Sequence, residues 1–557
     1  MQQEPGATHH LEQQRRENRA AAAALGLDPY GSAEPGLVTL GAARLAYDGA
    51  ADEAFKAKGK EPGFAPPDRR PRVRVAGRVV LHRDNGKLIW MNLRDAGGED
   101  LQVAASQREC SERGFSLAKL TDLGDLLVAE GPLVKTRTGE VTVWATDLRP
   151  AGKCLLPPPE KHAGLHDVEL RYRQRYVDLW SNPETMRVFQ QRSRLVGRVR
   201  RYLDERGFLE VETPMLQALA GGAAARPFVT HMKALDIDLF LRIAPELYLK
   251  RLLVGGLPRV YEVNRNFRNE GLDKQHNPEF TMLEVYEAYG DHTTMMALVE
   301  GLIRELATVV VIEREDRTAA PEDGRAVAPA GGPAPADELP TEVVLPFGEL
   351  SIDYGRPFDR VSYAELFRRA LGFDMTDAAR AKGAIVERKL TRRVKGAALP
   401  PPQGLSDEQA RAQLDRVDPV LLVNTLFEEV AEHTLDPARP TFITGYPAAI
   451  SPLTRPSRAD PAIADRADLF IAHMELAPMY TELNDPDVQA QRFREQLAGE
   501  DDEERTLRTF DEDFIRALKV GMPPAGGLGL GIDRLMMLLT NQRTIRDVML
   551  FPLMRPE

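Results

Sequence analysis

The chain has 557 residues, 43% of them apolar and 28% charged, enough for more than one core and polar enough for solution. No apolar run nears the roughly 20 residues that span a bilayer, and the opening MQQEPGATHHLEQQRRENR lacks a secretory leader's apolar stretch, so a cytoplasmic protein without a membrane role is expected. Two cysteines, Cys110 and Cys154, exclude a disulfide framework or a thiolate metal site, and a net charge of −11 excludes a uniformly cationic nucleic-acid coat but not a local basic face.

Residues 1–70 read as an N-terminal helical extension and linker. LEQQRRENRAAAAALGL favours helix, with Gly26 as its stop. Arg15, Arg16 and Arg19 lie close together on it, and two readings stay open: an RNA contact, or a solvated helix packed on the next domain. Pro62 to Pro71 form the linker. Residues 71–152 then alternate in five short segments, VRVAGRVVLH, KLIWMNLRD, DLQVAA, DLLVAEGPLVKT and EVTVWATDLRP, which predict a small five-stranded barrel of OB-fold type. Arg69, Arg70, Arg72, Arg74, Arg78, Arg83 and Lys87 give it a basic excess beside Trp90, a mixture suited to phosphate attraction and base stacking. For Trp90 alone, core packing is equally open.

A larger α+β domain is expected over 165–557. PETMRVFQQRSRLVGRVRRYLDERG predicts a helix with Phe189, Val196, Val199 and Leu203 on one stripe and its end at Gly207. Two segments rich in Ala, Pro and Gly, about 314–342 and 392–410, read as flexible insertions. Between them and the helix, RVYEVNRNFRNEGLDKQHNPEFTMLEVYEAY predicts two strands joined by a polar loop. There Arg268 can fork two hydrogen bonds to a phosphate, Glu270 can accept from an amino group, His276 can bond a phosphate tail, and Phe280 can stack on a base. Singly, Arg268 reads as a surface ion pair and Phe280 as core; their order carries the information.

That ordered set resembles the second signature motif of the class II aminoacyl-tRNA synthetases, and RNFRNEG through HNPEFT is similar to the lysyl branch. GFLEVETPML (207–216) resembles the first motif, a dimer-interface helix and strand, and GLGLGIDRLMMLLT (527–540) the third, with Arg534 on the helix after a Gly-rich strand. GGAAARPFVTH, LRIAPELYLKRL, YTELNDPDVQAQRF and IRDVMLFPLMRP extend the likeness from about Val73 to the end of the chain, insertions aside. The resemblance implies an antiparallel catalytic sheet flanked by helices behind an OB-fold anticodon-binding domain, and a homodimer.

It also implies ATP-dependent ligation of L-lysine to tRNA(Lys) through a lysyl-adenylate, driven by positioning and by cations on the phosphates. Arg268 would contact the α-phosphate and the lysine carboxylate, and Arg534 the γ-phosphate. Phe280 would stack on adenine, with Glu270, His276 and Glu475 assisting ATP. Asp468 and Glu475 match the family's Mg2+ carboxylates; seven apart, they need a turn near His473 to share one site. Glu246 with Gly222 would take the α-amine, and Glu482 with Tyr286 and Tyr480 the side-chain ammonium, since two buried carboxylates are expensive in an empty core. Arg78, Trp90 and Gln102 fall where the family reads the anticodon.

One segment departs from the family. In Glu475-Leu476-Ala477-Pro478-Met479-Tyr480-Thr481-Glu482, Pro478 replaces a substrate-contacting Asn and Met479 a small residue. Proline removes an amide and a backbone donor and is disfavoured in a central strand, so altered lysine binding is expected. The competing functions are a paralogue with changed amino-acid or acceptor specificity and a non-charging RNA-binding regulator.

Overall fold

The computed structural model describes residues 10–58, 68–158, 165–223, 225–319, 342–394, 412, 414–415, 417–498 and 510–556. The expected linker over 62–67 and the insertion segments 320–341 and 395–409 lie outside them. Two compact units are recognisable, one reaching to Phe189 and one beginning at Gln190. Among the described residues no helix is long and apolar enough to cross a membrane.

In the first unit, helix α1 (His10–Ala24) ends just before Gly26, whose φ of +75° breaks the helix. Arg15 is buried and donates to the carbonyls of Leu123 and Cys154, both at 2.9 Å, so it packs against the following domain. Arg16 pairs at the surface with Glu12. The barrel follows as β1 (Arg72–Asp84), β2 (Leu88–Arg94), β3 (Asp100–Ser106), helix α2 (Glu112–Leu120), β4 (Leu126–Lys135), β5 (Val141–Ala145) and β6 (Asp147–Gly152). Thr146, whose amide bonds Glu130 O, divides the fifth expected segment into two strands. β1 pairs with both β2 and β4, closing β1-β2-β3-β5-β4, and β6 extends from β4. Alternation carries Val73, Val75, Val79, Ile89, Met91 and Leu93 inward; burying each such side chain stabilises by about 1.5–3 kcal/mol.

The second unit begins within the amphipathic helix α3 (Pro183–Asp204). Its buried stripe is Leu195, Val199, Tyr202 and Leu203, with Val196 only half-buried, a small rotation from the expected face. Gly207 (φ +75°) ends the turn into β7 (Leu209–Glu210). There follow α4 (Glu246–Val254), β8 (Arg259–Phe267), β9 (Glu279–Ala288), β10 (Asp359–Ser362), β11 (Thr441–Thr444), β12 (Arg466–Ile471), β13 (Met474–Thr481), β14 (Ala525–Gly531) and α5 (Ile532–Leu539). The sheet runs β10-β11-β12-β13-β14-β9-β8-β7, antiparallel throughout its middle and parallel only at its two outer pairs. The expected hairpin is β8–β9, in register from Arg259↔Glu287 to Phe267↔Glu279.

Candidate active site

A cleft of about 630 Å3 opens on one face of this sheet. The run Gly527-Leu528-Gly529-Leu530-Gly531 on β14 borders it through Leu528, Gly529 and Gly531, while period-two alternation buries Leu530 and sets the three glycines on one side of the strand. Gly527 lies between Tyr286 and Tyr480, and Gly529 beside Glu284. A Cβ on Gly527 would stand 1.8 Å from Glu482 Oε1 and 2.8 Å from the Tyr286 ring. The glycine-rich strand thus leaves volume for other residues' charged and aromatic groups.

At one end the β8–β9 hairpin brings Arg268 over the Phe280 ring at 5.1 Å. The Nε of Arg268 is buried and has no hydrogen-bond partner. Arg534, on α5, donates to the Glu475 carbonyl at 2.6 Å and to His276 Nε2 at 2.8 Å. Because a guanidinium only donates, the His276 ring proton lies on Nδ1, which bonds Asp273 at 2.7 Å. Burial lowers the pKa of Arg534, though not enough to discharge it. Glu270 is exposed at the rim. Two cations, one with an unused buried donor, and a half-buried ring therefore face one volume.

The other end is acidic. Glu246 opens α4, and Gly222 (φ +86°) approaches so closely that a Cβ there would lie 3.3 Å from Glu246 Cβ. One helical turn on, Lys250 is fully buried, with Nζ 2.6 Å from Glu246 Oε1 and 2.5 Å from Glu482 Oε2. Glu482 stands behind the cleft wall, and burial, against the pull of Lys250 and with the push of Glu246, raises its pKa to about 7. Glu284 does line the cleft; desolvation and the nearby Glu246 charge raise it to about 8, and Tyr286 donates to it at 3.3 Å. The sequence reading missed Lys250, Glu284 and Gly527. Their signals were present: Lys250 is i+4 from Glu246, Glu284 is two residues from Tyr286 on one strand face, and the glycines alternate.

Asp468 and Glu475 lie on the β12–β13 hairpin, and its turn is at Ala472 and His473, both with positive φ (+52° and +59°), as the shared site requires. Asp468 is buried and takes a bidentate bond from Arg466 at 3.0 and 2.6 Å. Glu475 faces the cleft; desolvation by the surrounding protein, then the Asp468 charge, raise its pKa. Desolvation, Glu475 and Asp468 likewise push Glu432 up to about 8. Two adjacent hard carboxylates, Asp468 held by Arg466 and Glu475 facing the cleft, suit a magnesium ion that takes its other ligands from phosphate and water. Pro478 lines the cleft beside Gly529, and β13 runs through it unbroken: pairing to β14 begins only at Met479, so its missing N–H interrupts no bond on that side, and the hairpin's irregularity is a bulge at Leu469/Phe470.

In the barrel, Trp90 and Gln102 share the outward face of β2 and β3. Gln102 accepts from Thr142 at 2.8 Å and donates to Glu140 at 3.1 Å. A second indole, Trp144 on β5, meets Trp90 edge to face at 6.2 Å across the small Ala104. The Arg78 guanidinium is turned to Gly124 O at 2.7 Å and to the Trp180 ring at 4.9 Å, apart from that indole pair.

Residues 167–555 match the pattern of the family described as tRNA synthetases class II (D, K and N), and 73–151 that of the OB-fold nucleic acid binding domain. Among similar proteins, one named lysine--tRNA ligase from Cronobacter sakazakii is 44% identical over 489 residues, covering 87% of this chain and 86% of its own. Proteins of the same name from Carboxydothermus hydrogenoformans and Escherichia coli K12 are 43% and 42% identical, each over 87% of this chain and over 89% and 86% of their own.

Proposed function

The chain belongs to the class II tRNA synthetases, and on that premise we infer that it ligates L-lysine to tRNA(Lys) in two steps, in the cytoplasm and as a homodimer. In the first step a lysine carboxylate oxygen attacks the α-phosphorus of ATP and pyrophosphate leaves. In the second, the terminal ribose hydroxyl of the tRNA attacks the lysyl carbonyl and AMP leaves.

The observation that carries this reading is the polarity of one cleft, cations and a ring at one end and carboxylates at the other. Arg268 binds the α-phosphate and the lysine carboxylate, and its unpartnered Nε supports the assignment. Arg534, held by the Glu475 carbonyl and His276, meets the γ-phosphate, and Phe280 stacks on adenine, with Glu270 at the rim. Such preorganised donors lower the barrier without a protein nucleophile. Asp468 and Glu475 would hold Mg2+, which when bound offsets charge on the phosphates. Glu246 and Gly222 receive the α-amine, while Tyr286, Tyr480 and Glu482 form the side-chain end. Trp90 and Gln102, with Arg78 at the edge of the same barrel, read the anticodon by stacking and base-edge bonds.

Purified protein given ATP and each amino acid in turn tests the reading. Pyrophosphate exchange and tRNA charging are expected with lysine. Failure with lysine, or exchange with aspartate or asparagine instead, would overturn it.

A further inference from the structure

Lys250, buried with Glu482 behind the acidic end of the cleft, is a cation that the mechanism above leaves unused. It is completely buried, and its ammonium touches two carboxylates from different parts of the chain, Glu246 on its own helix and Glu482 beyond β13. Glu482 has nowhere else to turn. Gly527 gives its Oε1 room, and neither oxygen has a well-aligned hydrogen bond, so the Lys250 charge is its partner. Without Lys250 the adjoining Glu246 and Glu482 would be two negative charges in a poorly solvated place, whereas Glu284, beside Glu246, also feels Arg268.

We propose that Lys250 is a positioning residue for amino-acid recognition: it clamps Glu246 to Glu482 and, as one cation between two carboxylates, leaves the pair short of positive charge, the deficit that an amino acid with a second ammonium fills. This rests on the lysine reading of the cleft. Arg268, at the far end beside Phe280, is reserved for the substrate's own carboxylate and the α-phosphate. Lys250 stays in place when substrate binds. An amino acid with a neutral side chain leaves one carboxylate unmatched and is rejected. The groups facing Glu482 are Lys250 and Glu246 from α4, Tyr286 from β9, and the bare Gly527 from β14. Of these only Lys250 is cationic, so its charge holds the ionisation of Glu482 below the pH that burial alone would give.

The test is lysine-dependent ATP–pyrophosphate exchange by the full chain between pH 6 and 9, for the wild type, Lys250→Met and the hydrogen-bonding but neutral Lys250→Gln. Both variants are expected to move the pH limb of the lysine KM upward by about one unit, which raises that KM about fivefold at pH 7 and about tenfold at pH 6. The KM for ATP and the rate at saturating lysine are expected to stay within about threefold, and the preference for lysine over norleucine to fall about tenfold. Lys250→Arg is expected to keep the wild-type profile. An unmoved pH limb in a folded neutral variant, or tighter lysine binding, would overturn the proposal, the latter by making Lys250 an occluding competitor. The wild type provides an independent measurement that needs no variant. With 15N-lysine incorporated, the slowly exchanging Lys250 ammonium signal is expected to persist when unlabelled lysine is added, and its loss would equally overturn the proposal. Wild-type protein with no lysine-dependent exchange would instead remove the lysine reading itself.

Discussion

A methyl group on Gly527 would need the space that Glu482 and Tyr286 now fill, with 1.8 Å to the carboxylate oxygen. Gly527→Ala is therefore expected to destabilise by about 1–3 kcal/mol, as overpacking does, and to raise the lysine KM; urea unfolding and pyrophosphate exchange read the two effects, and unchanged values in both would remove Gly527 from the argument. Charge at the same end gives a pH dependence whose sign follows from the raised pKa values of Glu284, about 8, and Glu482, about 7. Both lie above the usual carboxylate range, so in the folded chain these groups hold protons that the unfolded chain has released. Their contribution to stability is full below about pH 4.5 and is lost as pH rises through 7 and 8. The unliganded protein is expected to melt at a lower temperature at pH 8.5 than at pH 6, with Glu284→Gln flattening that fall and added lysine opposing it. Pro478 gives a third expectation. Its ring fills the wall beside Gly529 where the family resemblance implies an amide, so Pro478→Asn should lower the lysine KM by about fivefold, the worth of one hydrogen bond of about 1 kcal/mol. Equal affinity would show that the wall is indifferent to the change.

Single strands of the barrel explain why some of the binding face was legible and some was not. Alternation in KLIWMNLRD and DLQVAA gave the two strands but left Trp90 open between core and surface; the family resemblance singled out Trp90 and Gln102, and the strands set them on one face. Trp144 was hidden because its segment, EVTVWATDLRP, reads as one strand, whereas Thr146 breaks it and β5 pairs parallel to β3, a long-range choice no local pattern encodes. Arg78 has the spacing of an outward residue, but Gly124 and Trp180 decide its direction. The hairpin β8–β9 was legible in full, because strand, polar loop and strand are all local. Lys250 was not, because its second partner lies 232 positions away at Glu482 and its burial depends on the whole sheet. For the face itself, Trp90→Ala is expected to raise the tRNA KM by about 10- to 100-fold, the 1–3 kcal/mol of a stacked base, in charging assays. Exchange without tRNA should keep its rate; a matched loss in both would mean that Trp90 only supports the fold.

At the scale of the whole molecule, one stretch of the described surface is notably apolar. Leu209, Met215, Leu216, Val229, Leu235 and Ile237 are 40–64% exposed, and all fall between the end of α3 and the start of α4. Single exposed leucines are ordinary, but these six and Met232 make seven large apolar side chains within 29 positions, five of them on β7 and on the small sheet of Leu216–Gln217, Val229–Met232 and Ile237–Leu241, more than a monomer usually leaves in water. The first signature motif lies inside this stretch, which is where an interface between two copies is expected. A specific dimer needs about 800 Å2 from each partner, and burying such a surface would link subunit association to stability. Sedimentation equilibrium is expected to give twice the 61.9 kDa chain mass. Leu216→Asp together with Val229→Asp should return it to 61.9 kDa and abolish the dependence of the melting temperature on protein concentration. A wild-type mass of one chain would leave this apolar stretch without its partner and shift the search to a different protein.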